Sequence, residues 1–135
     1  MSEQLLLDKK KTRQRVLQQR RAFSATEKTP AEQRMLKFLQ SWDVFRQAKT
    51  IHIFISKTDE ADTSPIIESA WESGKTVAVP CVIPETFELF HSQLKSFEDL
   101  SSGALGVLEP SPEGRIAMNP ESFDLVIIPG VAFDR

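Results

Sequence analysis

The sequence predicts an α/β domain organised on a mainly parallel sheet, and three stretches lead there. Residues 50–56, TIHIFIS, alternate β-branched and aromatic side chains and read as a strand. Residues 76–79 read as a second strand, with a helical pattern between the two. Strand, helix and strand within about 31 residues make a unit whose strands run parallel with a right-handed crossover. Residues 125–128, LVII, form a short unbroken apolar run, which fits a strand covered on both faces, as in a parallel sheet.

Composition bounds the function classes. A chain of 135 residues is expected to form one domain spanning 1–135, and 40% hydrophobic with 27% charged residues is the balance of a globular core inside a charged surface. No apolar run approaches the roughly 20 residues needed to span a bilayer, so no membrane partner is expected. The start, MSEQLLLDKKK, lacks the basic-then-apolar order of a secretory signal, and a cytoplasmic location is the expectation. A single cysteine, Cys81, excludes an internal disulfide framework. The net charge of −2 gives no bulk attraction to nucleic acid. Charge is uneven, however: residues 1–21 hold seven bases against two acids, or +5, which leaves −7 for the remainder. The basic segment has no interleaved aromatics, so a nucleic-acid partner is not expected.

Residues 3–23 lack Gly and Pro and are rich in Leu, Gln, Lys and Arg, which predicts a helix. Leu6, Lys9 or Lys10, Arg13, Val16 or Leu17, and Arg20 recur at helical spacing, with Lys9 and Arg13 side by side. Its cations are either a solvated face or a clamp on phosphate oxygens. Ser24 with Glu27, and Thr29 with Pro30 and Glu32, both resemble helix starts. The main second helix is placed at about 30–41, with Met35, Leu36, Phe38 and Leu39 inward; a start at Ser24 stays open. After the first strand and the loop KTDEADT, Asp62 or Thr63 caps a helix with Pro65 in its first turn. Ile66, Ile67, Ala70 and Trp71 give its apolar face, and Gly74 its stop. Pro80 is expected to close the second strand. Residues 87–91 read as a third strand and 93–101 as a short helix or irregular loop. Residues 103–120, with three Gly and three Pro, read as a long connection. After the last strand, Pro129 stops the ladder, Gly130 lets the chain turn, and Asp134 and Arg135 place opposite charges beyond.

If the strands are parallel, their carboxyl ends share one edge, where open α/β sheets bind ligands. Ser56, Lys57, Thr58, Asp59 and Glu60 follow the first strand, Cys81 the second, and Asp134 the last. This describes a cleft with a carboxylate rather than a particular reaction. His52 and His91 lie in strands without other ligands at metal spacing, and read as structural. Cys81 has no histidine near it in sequence to activate it. No GxGxxG or Walker A pattern is present.

In order along the chain stand Lys9-Lys-Lys-Thr-Arg13, Arg20 with Phe23-Ser24, Ile53–Thr63 (IFISKTDEADT), Gly74-Lys75 through Pro80, Leu105-Gly-Val-Leu-Glu109-Pro110, and Asp124–Asp134 (DLVIIPGVAFD). Each motif is weak alone; together, in this order and spacing, they resemble the 5-formyltetrahydrofolate cyclo-ligase family, also called 5,10-methenyltetrahydrofolate synthetases. The resemblance implies a three-layer α/β sandwich similar to the NagB/RpiA/CoA-transferase-like fold. It also implies ATP-dependent closure of 5-formyltetrahydrofolate to 5,10-methenyltetrahydrofolate. In that reaction the formyl oxygen is phosphorylated, N10 attacks the activated carbon, and phosphate leaves. Carried over by position, Lys9, Lys10, Lys11, Thr12 and Arg13 would contact ATP, and Ile55 and Glu60 the folate. Mg²⁺ would accompany ATP, with no metal ligand expected within this chain and no catalytic residue assigned.

The resemblance also implies a glycine-rich R-L-G-x-G-x-G-Y-Y-D segment after P-G-x-A-F-D, and these 135 residues do not contain it. The expectation is therefore a domain incomplete at its C-terminus, with little or no activity as written. The complete enzyme is expected to be monomeric, and an unpaired sheet edge here to favour association. The competing expectation is a non-catalytic folate- or nucleotide-binding or interaction domain derived from the family.

Overall fold

The computed structural model describes residues 1–134; the expectation for Arg135 lies outside them. Helix α1 (Glu3–Arg21) is followed by α2 (Ala25–Ser41), α3 (Asp43–Gln47), strand β1 (Thr50–Ile53), α4 (Ser64–Glu72), β2 (Thr76–Val82) and β3 (Leu89–Gln93). A short hairpin of β4 (Leu100–Ser102) and β5 (Leu108–Pro110) precedes β6 (Leu125–Ile127). The main sheet has the order β3-β2-β1-β6. Strand β1 runs parallel to β2 and β6, and β2 runs antiparallel to β3. The expected α/β class with a mainly parallel sheet is what the chain adopts.

Local chemistry explains the elements. Ser24 forms the capping box with Glu27, so α2 begins at Ala25 and not at about residue 30. Pro30 sits inside the helix, where its absent N–H leaves one turn without a bond. Leu39 is buried, and Met35 and Leu36 pack on the core, but Phe38 does not turn inward. It is 62% exposed and stacks on Trp42 at 6.1 Å. Helix α3, not expected from the sequence, buries Phe45. Lys75 donates to the carbonyls of Arg46 (2.9 Å) and Ala48 at its end, a favourable place for a cation. Gly74, at φ +75°, makes the turn out of α4.

The core joins Leu39 and Phe45 to Ile66, Ile67 and Ala70 of α4, Ile51 and Ile53 of β1, Val77 and Val79 of β2, and Leu94. Asp124 fixes the start of the central pair of strands. Its Oδ2 accepts from Lys49 N (2.8 Å) and Thr50 N (2.9 Å), and these bonds hold its carboxyl below the usual range.

Several boundaries differ from expectation. Strand β2 passes through Pro80 to Val82. Leu94 N bonds Val77 O and Ile83 N bonds Glu88 O, so odd-numbered backbone groups of β2 face β3. Pro80 therefore faces the other side, where pairing with β1 has ended at Ala78, and its missing N–H costs no ladder bond. Strand β3 begins at Leu89 because Phe87, at φ +58°, belongs to the preceding turn. The stretch 93–101 holds a 3₁₀ turn (Phe97–Asp99) and the start of β4, and the expected long connection 103–120 contains β5 and two short 3₁₀ turns, with a third beginning at Pro120. Its outgoing arm seals the edge of β3: Gln93 N donates to Ile116 O (2.8 Å) and Met118 N to His91 O (2.9 Å). Strand β6 is not covered on both faces, since Val126 is 51% and Ile128 74% exposed.

The sheet face opposite the core carries a histidine pair. His52 on β1 and His91 on β3 reach across small Ala78, with His52 Nε2 3.0 Å from His91 Nδ1. Phe123 packs on both rings, at 4.9 and 5.4 Å. His52 is 6% exposed, and its Nδ1 is buried without a partner. Burial first, and His91 second, push its pKa down to about 4. The unfolded chain thus binds this proton first. The stabilisation is complete above about pH 6.5 and is lost as pH falls toward 4, by roughly 3 kcal/mol at most. Urea midpoints should fall across that window, and His52→Leu should flatten the slope there.

Candidate functional site

The site grows from the place where β1 ends. Beyond Ile53 the chain leaves the sheet, turns through residues 54–63, and enters α4. Thr63, 2% exposed, closes this turn: its Oγ1 donates to Phe54 O (3.0 Å) and accepts from Ser56 N (3.2 Å). Ser56 Oγ in return accepts from Thr63 N (3.1 Å). Asp62 caps α4 by accepting from Ser64 N (2.9 Å), and Glu32 of α2 accepts from Asp62 N (2.9 Å). Of the two expected caps, Asp62 supplies the bond while Thr63 holds the Ncap position.

Within the turn, Glu60 Oε2 accepts from Lys57 N (2.8 Å), and Glu60 N donates to Lys57 O (3.0 Å). One carboxylate oxygen is thereby held. An open cleft of about 450 Å³ lies beside it. Its lining combines apolar groups, including Ile55, Phe97 and Leu100, with polar ones, including Lys28, Lys57 and Glu60. An apolar slot edged by a few polar groups suits a flat heterocycle with N–H donors on its rim. Both residues carried over for folate, Ile55 and Glu60, line this one cleft.

The residues carried over for ATP do not line it. Lys9–Arg13 are exposed on α1, which has no buried residue. At about 1.5 Å per residue, Arg13 stands roughly 10 Å along the axis from Arg20, and Lys9 roughly 16 Å. At about 100° per residue, Lys9, Arg13 and Arg20 fall on one stripe. Arg20 identifies the direction of that stripe, because its Nη2 meets Asp59 Oδ2 at 3.2 Å, in the turn that carries Glu60. Lys10 and Thr12 flank the stripe, while Lys11 points about 160° away from Arg13. Arg21 adds a second contact to Asp59 (3.5 Å), and Lys28 Nζ donates to Thr58 O (2.9 Å). The hydrogen bond from Arg20 holds the Asp59 carboxyl below the usual range.

The hairpin wall of the cleft is anchored by Glu109, 4% exposed. Its Oε2 accepts from Val82 N (3.0 Å), a donor that β1 is too short to satisfy, and its Oε1 meets Arg115 Nη2 (3.2 Å). Gly103 is required there, since a Cβ would stand 2.3 Å from the Glu109 side chain. Cys81 is fully buried, and burial pushes its thiol pKa up, which removes it as a nucleophile.

The family model described as the 5-formyltetrahydrofolate cyclo-ligase family matches residues 6–135. The chain belongs to that family. It is 29% identical over 125 residues to the 5-formyltetrahydrofolate cyclo-ligase of Escherichia coli K12, covering 89% of this chain and 66% of the relative. It is 26% identical over 133 residues to the 5-formyltetrahydrofolate cyclo-ligase of Mus musculus, covering 94% and 65%. It also superposes on the 5,10-methenyltetrahydrofolate synthetase of Aquifex aeolicus with a TM-score of 0.80 at 28% identity, covering 93% of this chain and 62% of that one. The chain thus spans just under two thirds of the length of these cyclo-ligases.

Sequence reasoning missed Lys28, Phe97, Leu100 and Leu108, which reach the cleft from elements distant in the chain. No local signal marks them. Among the described residues no helix is long and apolar enough to cross a membrane. Replacing Thr63 by Val should leave Ser56 N–H and Phe54 C=O without partners and cost about 2 kcal/mol, read as a lowered urea midpoint.

Proposed function

We propose that this cyclo-ligase-family chain takes part in the ATP-dependent conversion of 5-formyltetrahydrofolate to 5,10-methenyltetrahydrofolate. The observation that carries the reading is the cleft joining Ile55 to Glu60 at the carboxyl end of β1, in a chain whose family match runs from residue 6 to 135. The pterin lies against Ile55 and its apolar neighbours, and Glu60 accepts N–H donors from the ring edge. Lys9 and Arg13, with Lys10, Lys11 and Thr12 in the same segment, contact the ATP phosphates. Phosphorylation of the formyl oxygen turns a poor leaving group into phosphate, and attack by N10 closes the ring. That transfer needs chiefly alignment and positive charge, which a cationic helix stripe facing the turn can supply.

Among the described residues no three His, Cys, Asp or Glu are grouped to hold a metal ion. Mg²⁺ is proposed as a companion of the nucleotide. The 135 residues contain no glycine-rich run to present backbone N–H groups to phosphate. For these 135 residues taken alone, the second reading is a folate- or nucleotide-binding domain without turnover. A cytoplasmic setting and a monomeric complete enzyme remain part of the proposal.

The decisive assay is ATP- and Mg²⁺-dependent appearance of methenyltetrahydrofolate, run beside equilibrium binding of 5-formyltetrahydrofolate. Binding with little turnover is expected from the 135-residue chain. Absence of both would defeat the reading. Glu60→Ala should weaken folate binding roughly 10- to 100-fold, as expected for loss of a charged hydrogen-bond acceptor.

A further inference from the structure

We infer that Asp59 is a positioning residue: its carboxylate clasps the last turn of α1 and thereby aims the Lys9–Arg13 stripe at the folate-lining turn. The ligand half of this inference rests on the proposed function; the clasp itself does not.

Helix α1 has no fully buried residue and only Val16 and Leu17 as half-buried apolar side chains, so apolar packing does little to fix the direction of its N-terminal half. In proteins most of a helix's stability comes from packing an apolar face, and α1 offers little of one. What ties it down is polar and concentrated at one end. Arg20 and Arg21 both reach Asp59 Oδ2, at 3.2 and 3.5 Å, and the Arg20 and Asp59 side chains are only 25% and 26% exposed. Asp59 does not line the cleft, although Lys57, Thr58 and Glu60 on either side of it do. Its carboxylate therefore serves the helix rather than the ligand. Lys28, from the first turns of α2, holds the carbonyl of Thr58 and buttresses the same turn from the other side. One acidic residue thus links a helix bearing the nucleotide-facing cations to the next residue in sequence, Glu60, which meets the folate.

An untethered α1 would sample many directions, and only the fraction aimed correctly would bind nucleotide well. The loss should therefore fall on ATP and spare the folate. Three forms of the 135-residue chain test this: unaltered, Asp59→Ala and Asp59→Glu. The readouts are amide hydrogen exchange without ligand, and separate calorimetric affinities for MgATP and 5-formyltetrahydrofolate.

In Asp59→Ala, amides of residues 9–20 should exchange several-fold faster while those of β1 and β2 keep their rates. MgATP binding should weaken roughly two- to fivefold, the range expected for a partly shielded ion pair. Folate affinity should stay within about twofold, and Asp59→Glu, which can still reach both arginines, should restore exchange and MgATP binding. A merely structural Asp59 would lower both affinities together, and that result overturns the inference. So does unchanged α1 exchange in Asp59→Ala, or faster exchange with unchanged MgATP affinity. If the unaltered chain binds no MgATP, the nucleotide part of the proposed function fails, and the ligand-free exchange comparison still decides whether the clasp exists.

Discussion

The structure depends on a mismatch in length between neighbouring strands. Strand β1 holds the centre of the sheet, paired on both sides, yet it stops at Ile53 while β2 continues to Val82. Everything near the cleft answers that early stop. Past Phe54, whose N–H still reaches Ile127 O of β6, the backbone up to residue 64 has no ladder to join and is met by Thr63, Ser56, Glu60, Asp62 and Glu32. The stranded N–H of Val82 is met by the Glu109 carboxylate. The recess left between these two solutions is where Ile55 and Glu60 look into open space. Burying polar backbone without partners is costly, so the hydrogen-bonding side chains here follow from the geometry of the strands.

How much of this was legible in the sequence follows from how local each signal is. Strand β1, helix α4 and Gly74 were readable because β-branched runs, a capping acid and a left-handed glycine act within a few residues. The α/β class followed from them. Glu60 could be placed at the strand-end edge because it sits in the loop after the first strand, whereas Ile55, read as part of that strand, was singled out only by the family resemblance. Pro80 misled, because a proline stops a ladder only where its N–H would have been used, and that depended on the length of β1. Phe38 misled because its spacing fits the buried stripe while its neighbour Trp42 offers a surface stack instead. The hairpin of β4 and β5 was hidden by strands of three residues set among Gly and Pro. Its anchor, Glu109, bonds Val82 across 27 positions of chain.

The two halves of the proposed chemistry are built differently. The folate side is a wall of packed apolar groups and a turn whose hydrogen bonds are nearly complete. The nucleotide side is a solvent-exposed helix held at one end. Rigid elements position ligands more closely than tethered ones do. On the proposed function, the contrast would give the pterin a formed seat and leave the phosphates to charge on a helix held at one end.

The margins of the sheet are likewise unequal. Residues 116–118 bond along β3 and occupy its outward groups, whereas β6 pairs with β1 alone among the described residues. Lateral growth of the sheet is thereby polarised. Among the described residues, a further strand would find backbone groups open along β6, whereas beside Ser92 the edge is already bonded by residues 116–118.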